Sequence, residues 1–276
     1  MSSSLVPRPF RPNSRGNRLE GWRAVPGGAG HYLWLRCAQE TLDQIKRAGD
    51  SCQDCVVPPG ATTAWTHVLY APGPLDPRVE TLLQLLSRVL TLPTLENVTS
   101  AVALDWYKIP PDEQRPDWQN TPTGDLIHRG KYWYKSSPEE QAITGRTIAG
   151  LGCEAVWRHP QLEQTAVILD VPGHDSRRLS FGSRLAATVA RDTAKRFIKV
   201  SARDVYRAEA KSLTFEQRRE LIRGQFSVRE YLGSVDVLIV DDVFRSGLSM
   251  SEVARAAREA GARSVYGLTA VRTMRK

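Results

Sequence analysis

The sequence predicts an α/β fold: a parallel-sheet domain in the C-terminal half, preceded by a smaller N-terminal α/β module. Three observations carry this. After about residue 126, continuous apolar runs alternate with amphipathic helical patterns, as in a parallel sheet covered on both faces. Before it, Pro110, Pro111, Pro116 and Pro122 crowd the stretch 109–125, which suits neither a helix interior nor a central strand and so reads as a linker. Finally, the apolar run Val237–Val240 ends in Asp241 and Asp242, followed by a short loop with Gly247 and an amphipathic helix.

Taken in order, residues 1–20 (MSSSLVPRPFRPNSRGNR and two more) read as a mobile basic arm whose prolines and missing apolar segment argue against a signal peptide. The module 21–108 follows, its role unread. Within it 66–70 and 98–107 look like strands, and Val79, Leu82, Leu83, Leu86, Val89 and Leu90 at helical spacing predict a helix over 77–92. After the linker, Ser137-Pro138-Glu139-Glu140 combines a cap residue, a first-turn proline and a glutamate three after the cap, so a helix is expected from there to about Gly150. A buried strand is expected over 166–171. A helix over 183–197 presents Ala186, Val189, Ala190 and Phe197 on one side and Arg184, Arg191 and Lys195 on the other. The strand 237–240, a helix 249–260 closed by Gly261, and a strand 264–271 complete the domain 126–276.

Length and composition fit this reading. At 276 residues, 41% hydrophobic and 25% charged, the chain can bury a core and carries no apolar run of membrane-spanning length. Four cysteines without a secretion signal predict a reducing, cytoplasmic setting and no membrane association. The net charge of +8 resides in the second half, and 177–229 alone holds 14 basic and 5 acidic residues. Half of that pattern reads as solvated helix surface; the rest points to an anionic ligand, phosphates of a small molecule or of a nucleic acid.

The chemistry concentrates at the end of the 237–240 strand. Ligands of open parallel sheets sit beyond the carboxyl ends of the strands. There Gly247 would admit a phosphate close to the backbone, amides of Arg245 to Ser249 can converge, and the next helix adds its positive end. Ser246 and Ser249 add hydroxyls. Asp241 and Asp242 can accept bonds from two vicinal hydroxyls or hold a divalent cation through water. The competing reading makes Ser249 to Glu252 a capping box and the aspartates a polar strand end, which leaves the acidic pair and the glycine unexplained.

The stretch VLIVDDVFRSGLSM resembles the signature loop of type I phosphoribosyltransferases, whose domain is a Rossmann-like parallel α/β sheet. IHRGKYWYKSSPEE, DVPGHDSRRLSFGSRLA and KSLTFEQRRELIRGQFSV are similar to the ComF-like, amidophosphoribosyltransferase-related branch. The resemblance covers about 125–276. It implies that Asp241 and Asp242 hold ribose hydroxyls, with Mg2+, that Ser246, Gly247 and Ser249 hold the 5′-phosphate of phosphoribosyl pyrophosphate or a nucleotide, and that Phe244, Arg245 and Leu248 of the same loop also bind substrate. It also implies that Gly173, His174, Asp175, Arg177 and Arg178 meet the pyrophosphate and that 207–226 covers the site. Lys131 falls in the segment expected to build the acceptor pocket. Purine-salvage members carry an acid where this chain has Arg245, a cation that cannot act as a base, so purine chemistry is not implied.

The expected activity is transfer of ribosyl phosphate to a nitrogen acceptor. Two alternatives stand beside it: a non-catalytic nucleotide-sensing or nucleic-acid-binding protein, and a hydrolase of nucleotide glycosidic bonds. Homo-oligomers are compatible with all three. ComF-like proteins often carry an N-terminal four-cysteine finger. Here Cys37, Cys52 and Cys55 would need His31 or His67 as a fourth zinc ligand, and reduced structural thiols are the stronger expectation.

Overall fold

The structure is a computed structural model and describes residues 8–49, 51–111, 117–131, 137–173, 179–203 and 213–274. The chain divides into two compact units, 1–93 with 158–160, and 94–157 with 161–276.

The first unit holds β1 (Gly21–Gly27), β2 (Gly30–Arg36), α1 (Gln39–Ala48), β3 (Gln53–Cys55), β4 (His67–Pro72), α2 (Pro77–Leu86) and β5 (Leu90–Thr91). Its antiparallel sheet runs β1-β2-β4-β3. On β2, Leu33 and Leu35 alternate inward, and they are buried with Leu69, Ile45, Leu82, Leu83 and Leu86. Asp76 caps α2 by accepting from the Arg78 amide, and Pro77 opens the helix. The helix expected over 77–92 stops at Leu86, so Val89 and Leu90 are buried outside it.

The second unit begins with β6 (Ser100–Trp106), β7 (Lys108–Ile109), β8 (Gln119–Asn120), α3 (Pro122–Lys131) and α4 (Pro138–Arg158). There follow α5 (Pro160–Glu163), β9 (Val167–Asp170), α6 (Phe181–Asp192), β10 (Arg196–Ile198), β11 (Ser201–Ala202), α7 (Phe215–Ile222), β12 (Phe226–Ser227), β13 (Asp236–Phe244), α8 (Leu248–Glu259) and β14 (Ser264–Arg272). The strands β10-β9-β13-β14-β6 form a sheet in which every adjacent pair is parallel. The middles of its central strands are continuous apolar runs, as a sheet covered on both faces requires: Val237, Leu238 and Ile239 of β13 and Val265 and Leu268 of β14 are buried.

Several elements differ from expectation. The strand expected at 98–107 is β6, an integral strand of the second unit's sheet, and the expected linker contains β8 and the start of α3. Pro122 opens α3, where a missing amide hydrogen costs nothing, and Thr121 caps it. The predicted capping box at Ser137 and Glu140 is present, but α4 continues past Gly150 to Arg158. The helix expected over 183–197 starts under the cap of Ser180 and ends at Asp192. Ala194 then takes a left-handed φ of 54°, and 196–198 pairs with β9 as β10. No described helix is long and apolar enough to cross a membrane.

Candidate functional site

Strand order locates the site. From β9 the chain moves through α6 to β10 on one side, and from β13 through α8 to β14 on the other. Right-handed crossovers in opposite directions put α6 and α8 on opposite faces, leaving a crevice at the carboxyl ends of β9 and β13. The acids line it. Val240 pairs with Asp170 across to β9, and Asp241 pairs with Thr269 across to β14.

Asp241 and Asp242 lie within β13, which extends past the expected end at Val240 to Phe244. Asp241 is half-buried, and its carboxylate accepts from the Asp242 amide at 2.8 Å. Burial first, and then the charge of Asp242, push its pKa upward, with Asp170 adding to the rise; the Asp242 amide and Lys131 oppose it. Asp242 is buried, with its Oδ2 3.0 Å from Lys131 Nζ. Burial works against the Lys131 charge, yet the Asp242 carboxylate, with help from Asp241, holds its pKa above the ordinary value. Lys131 reaches this point because α3 is tied to the end of β6: Thr121 donates to the Trp106 carbonyl at 2.5 Å and accepts from the Gly124 amide. A Cβ at Gly130 would lie 2.4 Å from the Phe181 ring, so the last turn of α3 fits against α6 only without a side chain there.

Beyond β13 the turn stays open. Gly247 has φ 83° and is the N-cap of α8, a conformation that glycine alone adopts cheaply. Of the six backbone amides from Arg245 to Met250, none donates to an acceptor among the described residues. Ser246 and Ser249 are half-buried, and Arg245 is exposed. The competing capping box at Ser249 is not formed: Glu252 instead accepts from the Gly224 amide and from Arg255. Arg272 holds the turn from behind. Its Nη1 donates to the carbonyls of Phe244, Arg245 and Thr273, and its guanidinium lies 4.9 Å from the centre of the Phe244 ring.

Two supports escaped the sequence reading. Asp170 is fully buried and accepts from Ser183 Oγ at 2.5 Å and from the Val200 amide at 2.8 Å, joining β9, α6 and the segment after β10. A strand reading AVILD beside one reading VLIVDD was the available signal. Arg272 had none, because the carbonyls of the turn that it holds, those of Phe244 and Arg245, are close to it only in space.

The remaining predicted residues divide. Gly173 lies where a Cβ would meet Ser180 at 2.9 Å, near the start of α6. His174, Asp175, Arg177 and Arg178 fall outside the described residues, as does 204–212 of the expected cover. The described part of that cover contains α7, capped by Thr214 and Gln217. A cavity of about 380 Å³ lies along α7 and α8, lined among others by Arg219, Arg223, Leu248, Ser251 and Glu252. It contains Leu248 but neither acid of the pair, and Arg219 and Arg255 pair within its walls with Glu96 and Glu252. In the first unit, Cys37 is buried and burial pushes its thiol up to about 12, while burial also raises that of Cys52. No three His, Cys, Asp or Glu residues among those described are grouped to hold a metal ion.

No family model and no curated protein matches this chain. Among solved structures it is similar to the purine phosphoribosyltransferase from Pyrococcus horikoshii Ot3, with a TM-score of 0.29 and 14% identity, covering 45% of this chain and 81% of that one.

Proposed function

We propose that the second unit binds phosphoribosyl pyrophosphate, or the 5′-phosphate of a nucleotide, and transfers ribosyl phosphate to a nitrogen acceptor. One observation carries this reading: at the crevice of a parallel sheet, an acidic pair is followed by a turn with a left-handed glycine and six successive amides that find no acceptor among the described residues. The amides and the N-terminal end of α8 suit a terminal phosphate. Asp241 and Asp242 suit the two vicinal hydroxyls of the ribose. In the transfer, the bond from C1 to pyrophosphate breaks, the pyrophosphate leaves with its electron pair, and C1 bonds to the acceptor nitrogen, which loses a proton. The acids fix the ring while positive charge grows on it, so positioning and electrostatics dominate.

The donor set also fits Mg2+. Asp241 and Asp242 place two carboxylates side by side at the crevice, which Lys131 answers with a single ammonium, and hard oxygen ligands suit that ion. Asp241 and Asp242 would hold it through water, and it would supply neutralisation of the leaving pyrophosphate. The Lys131–Asp242 ion pair favours a second reading, in which the pocket binds nucleotides without turning them over, since transfer requires Asp242 to exchange that partner for a hydroxyl.

The test is calorimetric titration of phosphoribosyl pyrophosphate with Mg2+ into wild type and the Asp241→Asn/Asp242→Asn double variant. Wild type should bind, and the double variant should lose at least about tenfold in affinity, about 1.4 kcal/mol. Equal heats from both would remove the site assignment. Product analysis with candidate amines then separates transfer from binding alone.

A further inference from the structure

One face of α4 has no covering in the second unit. Ile143 is 50% exposed, Leu151 37% and Trp157 57%, and Arg146, Thr147 and Gly150 lie exposed between them. At 100° per residue, Ile143, Arg146, Gly150, Glu154 and Trp157 fall within about 80° of one another. The opposite face, with Ile148, Gly152, Ala155 and Val156, is buried against its own unit. Ile143, Arg146 and Trp157 are therefore not spent on packing within the second unit.

Gly150 sharpens the point. It sits in the middle of a 21-residue helix, and a Cβ built there would meet nothing within 4 Å. Glycine at an exposed helix interior costs about 1 kcal/mol relative to alanine, and the space around it offers no steric reason for that cost. A second helix crossing at Gly150 would supply one, because the two backbones could then approach closely.

The pattern is symmetric about that residue. In an antiparallel pair with Gly150 facing Gly150 of the other copy, Ile143 stands opposite Trp157 and Arg146 opposite Glu154, each contact occurring twice. Such self-complementarity is what a twofold interface demands. Arg146 makes no ion pair among the described residues. Glu154 is already engaged within its own chain, and a carboxylate has room for a second donor.

We infer that the exposed face of α4 is a homodimer interface, in which α4 packs antiparallel on α4 of a second copy around Gly150. At about 1.5 Å per residue the helix spans about 31 Å, so the contact is a small one and its dimer exchanges with monomer.

Sedimentation velocity on the full chain, from about 1 to about 300 µM, tests this in the range suited to an interface below about 1,200 Å². Wild type should pass from monomer to dimer. Arg146→Glu and Glu154→Arg should each weaken the dimer at least about tenfold, and an equimolar mixture of the two should recover it as a heterodimer, because each cross contact then joins opposite charges. Gly150→Lys serves as a folding control: it should keep or raise Tm through better helix propensity while abolishing dimerisation. A wild type that stays monomeric throughout overturns the inference, as does a dimer that these reversals and Gly150→Lys leave unchanged. Failure of the mixture to recover what the two single reversals lose overturns it as well.

Discussion

Asp241 carries its charge where burial and a neighbouring carboxylate both resist it. Its pKa in the folded chain lies above the unfolded value, so as pH rises the unfolded chain releases the proton first. Stability is fully present below the ordinary carboxylate range and is lost as pH climbs from there towards the raised value. Asp241→Asn should therefore raise Tm at pH 8, by roughly 2–4 °C for each kcal/mol relieved, and leave it unchanged near pH 3. Calorimetry at the two pH values checks this, and an acid kept at a cost in stability is what a binding or catalytic role would explain. His159 behaves in the opposite sense. Buried, with its Nε2 donating to Gln44 Oε1 at 2.9 Å, it is held down to about 3 by the loss of water. Its stabilising contribution is present above the ordinary histidine value near 6.5 and is lost as pH falls towards 3. His159→Gln should flatten the fall in unfolding free energy, measured by urea denaturation between pH 7.5 and pH 5, by about 2 kcal/mol; an unchanged slope would show that other groups drive it.

At the scale of elements, the turn between β13 and α8 depends on Gly247. A Cβ there would lie 2.5 Å from Leu95 Cδ2 and 2.8 Å from Phe244 Cζ, at a φ that alanine adopts with strain. Gly247→Ala should destabilise the unit by more than about 1 kcal/mol and weaken phosphate-ester binding, measurable by denaturation and titration with the same ligand. This element was legible from sequence because its signals are local: apolar run, paired acids, glycine, amphipathic helix. Others were not. The β1–β2 hairpin carries its pattern in HYLWLR, but the glycines flanking it read as loop. Arg196 to Ile198 looked like the tail of a helix until Ala194 turned the chain, and that turn is chosen by pairing with Val167 to Leu169 far away in sequence. The reach of Lys131 to Asp242 was likewise invisible, since it depends on where α3 lands.

For the whole molecule, the parallel order of the second unit's sheet follows from alternating apolar strands and helices, which sequence displays. Strand order does not, and it took the structure to bring β6, from ahead of the proline-rich stretch, to the side of β14. The net charge of +8 bears on which anion the protein meets. If the crevice is the principal site, phosphoribosyl pyrophosphate affinity should fall less than tenfold between about 50 and 200 mM salt, whereas a polynucleotide held by six or more phosphate contacts would lose about a thousandfold. Fluorescence titration with each ligand at both concentrations decides between them.

The fit of Gly130 against Phe181 reaches further than local packing. A single methyl group inserted there would force either the Phe181 ring or the end of α3 to move, and in the second case the lysine's ammonium would leave its carboxylate. How firmly this crevice balances its own acids thus hangs on a hydrogen atom standing where every other amino acid has carbon.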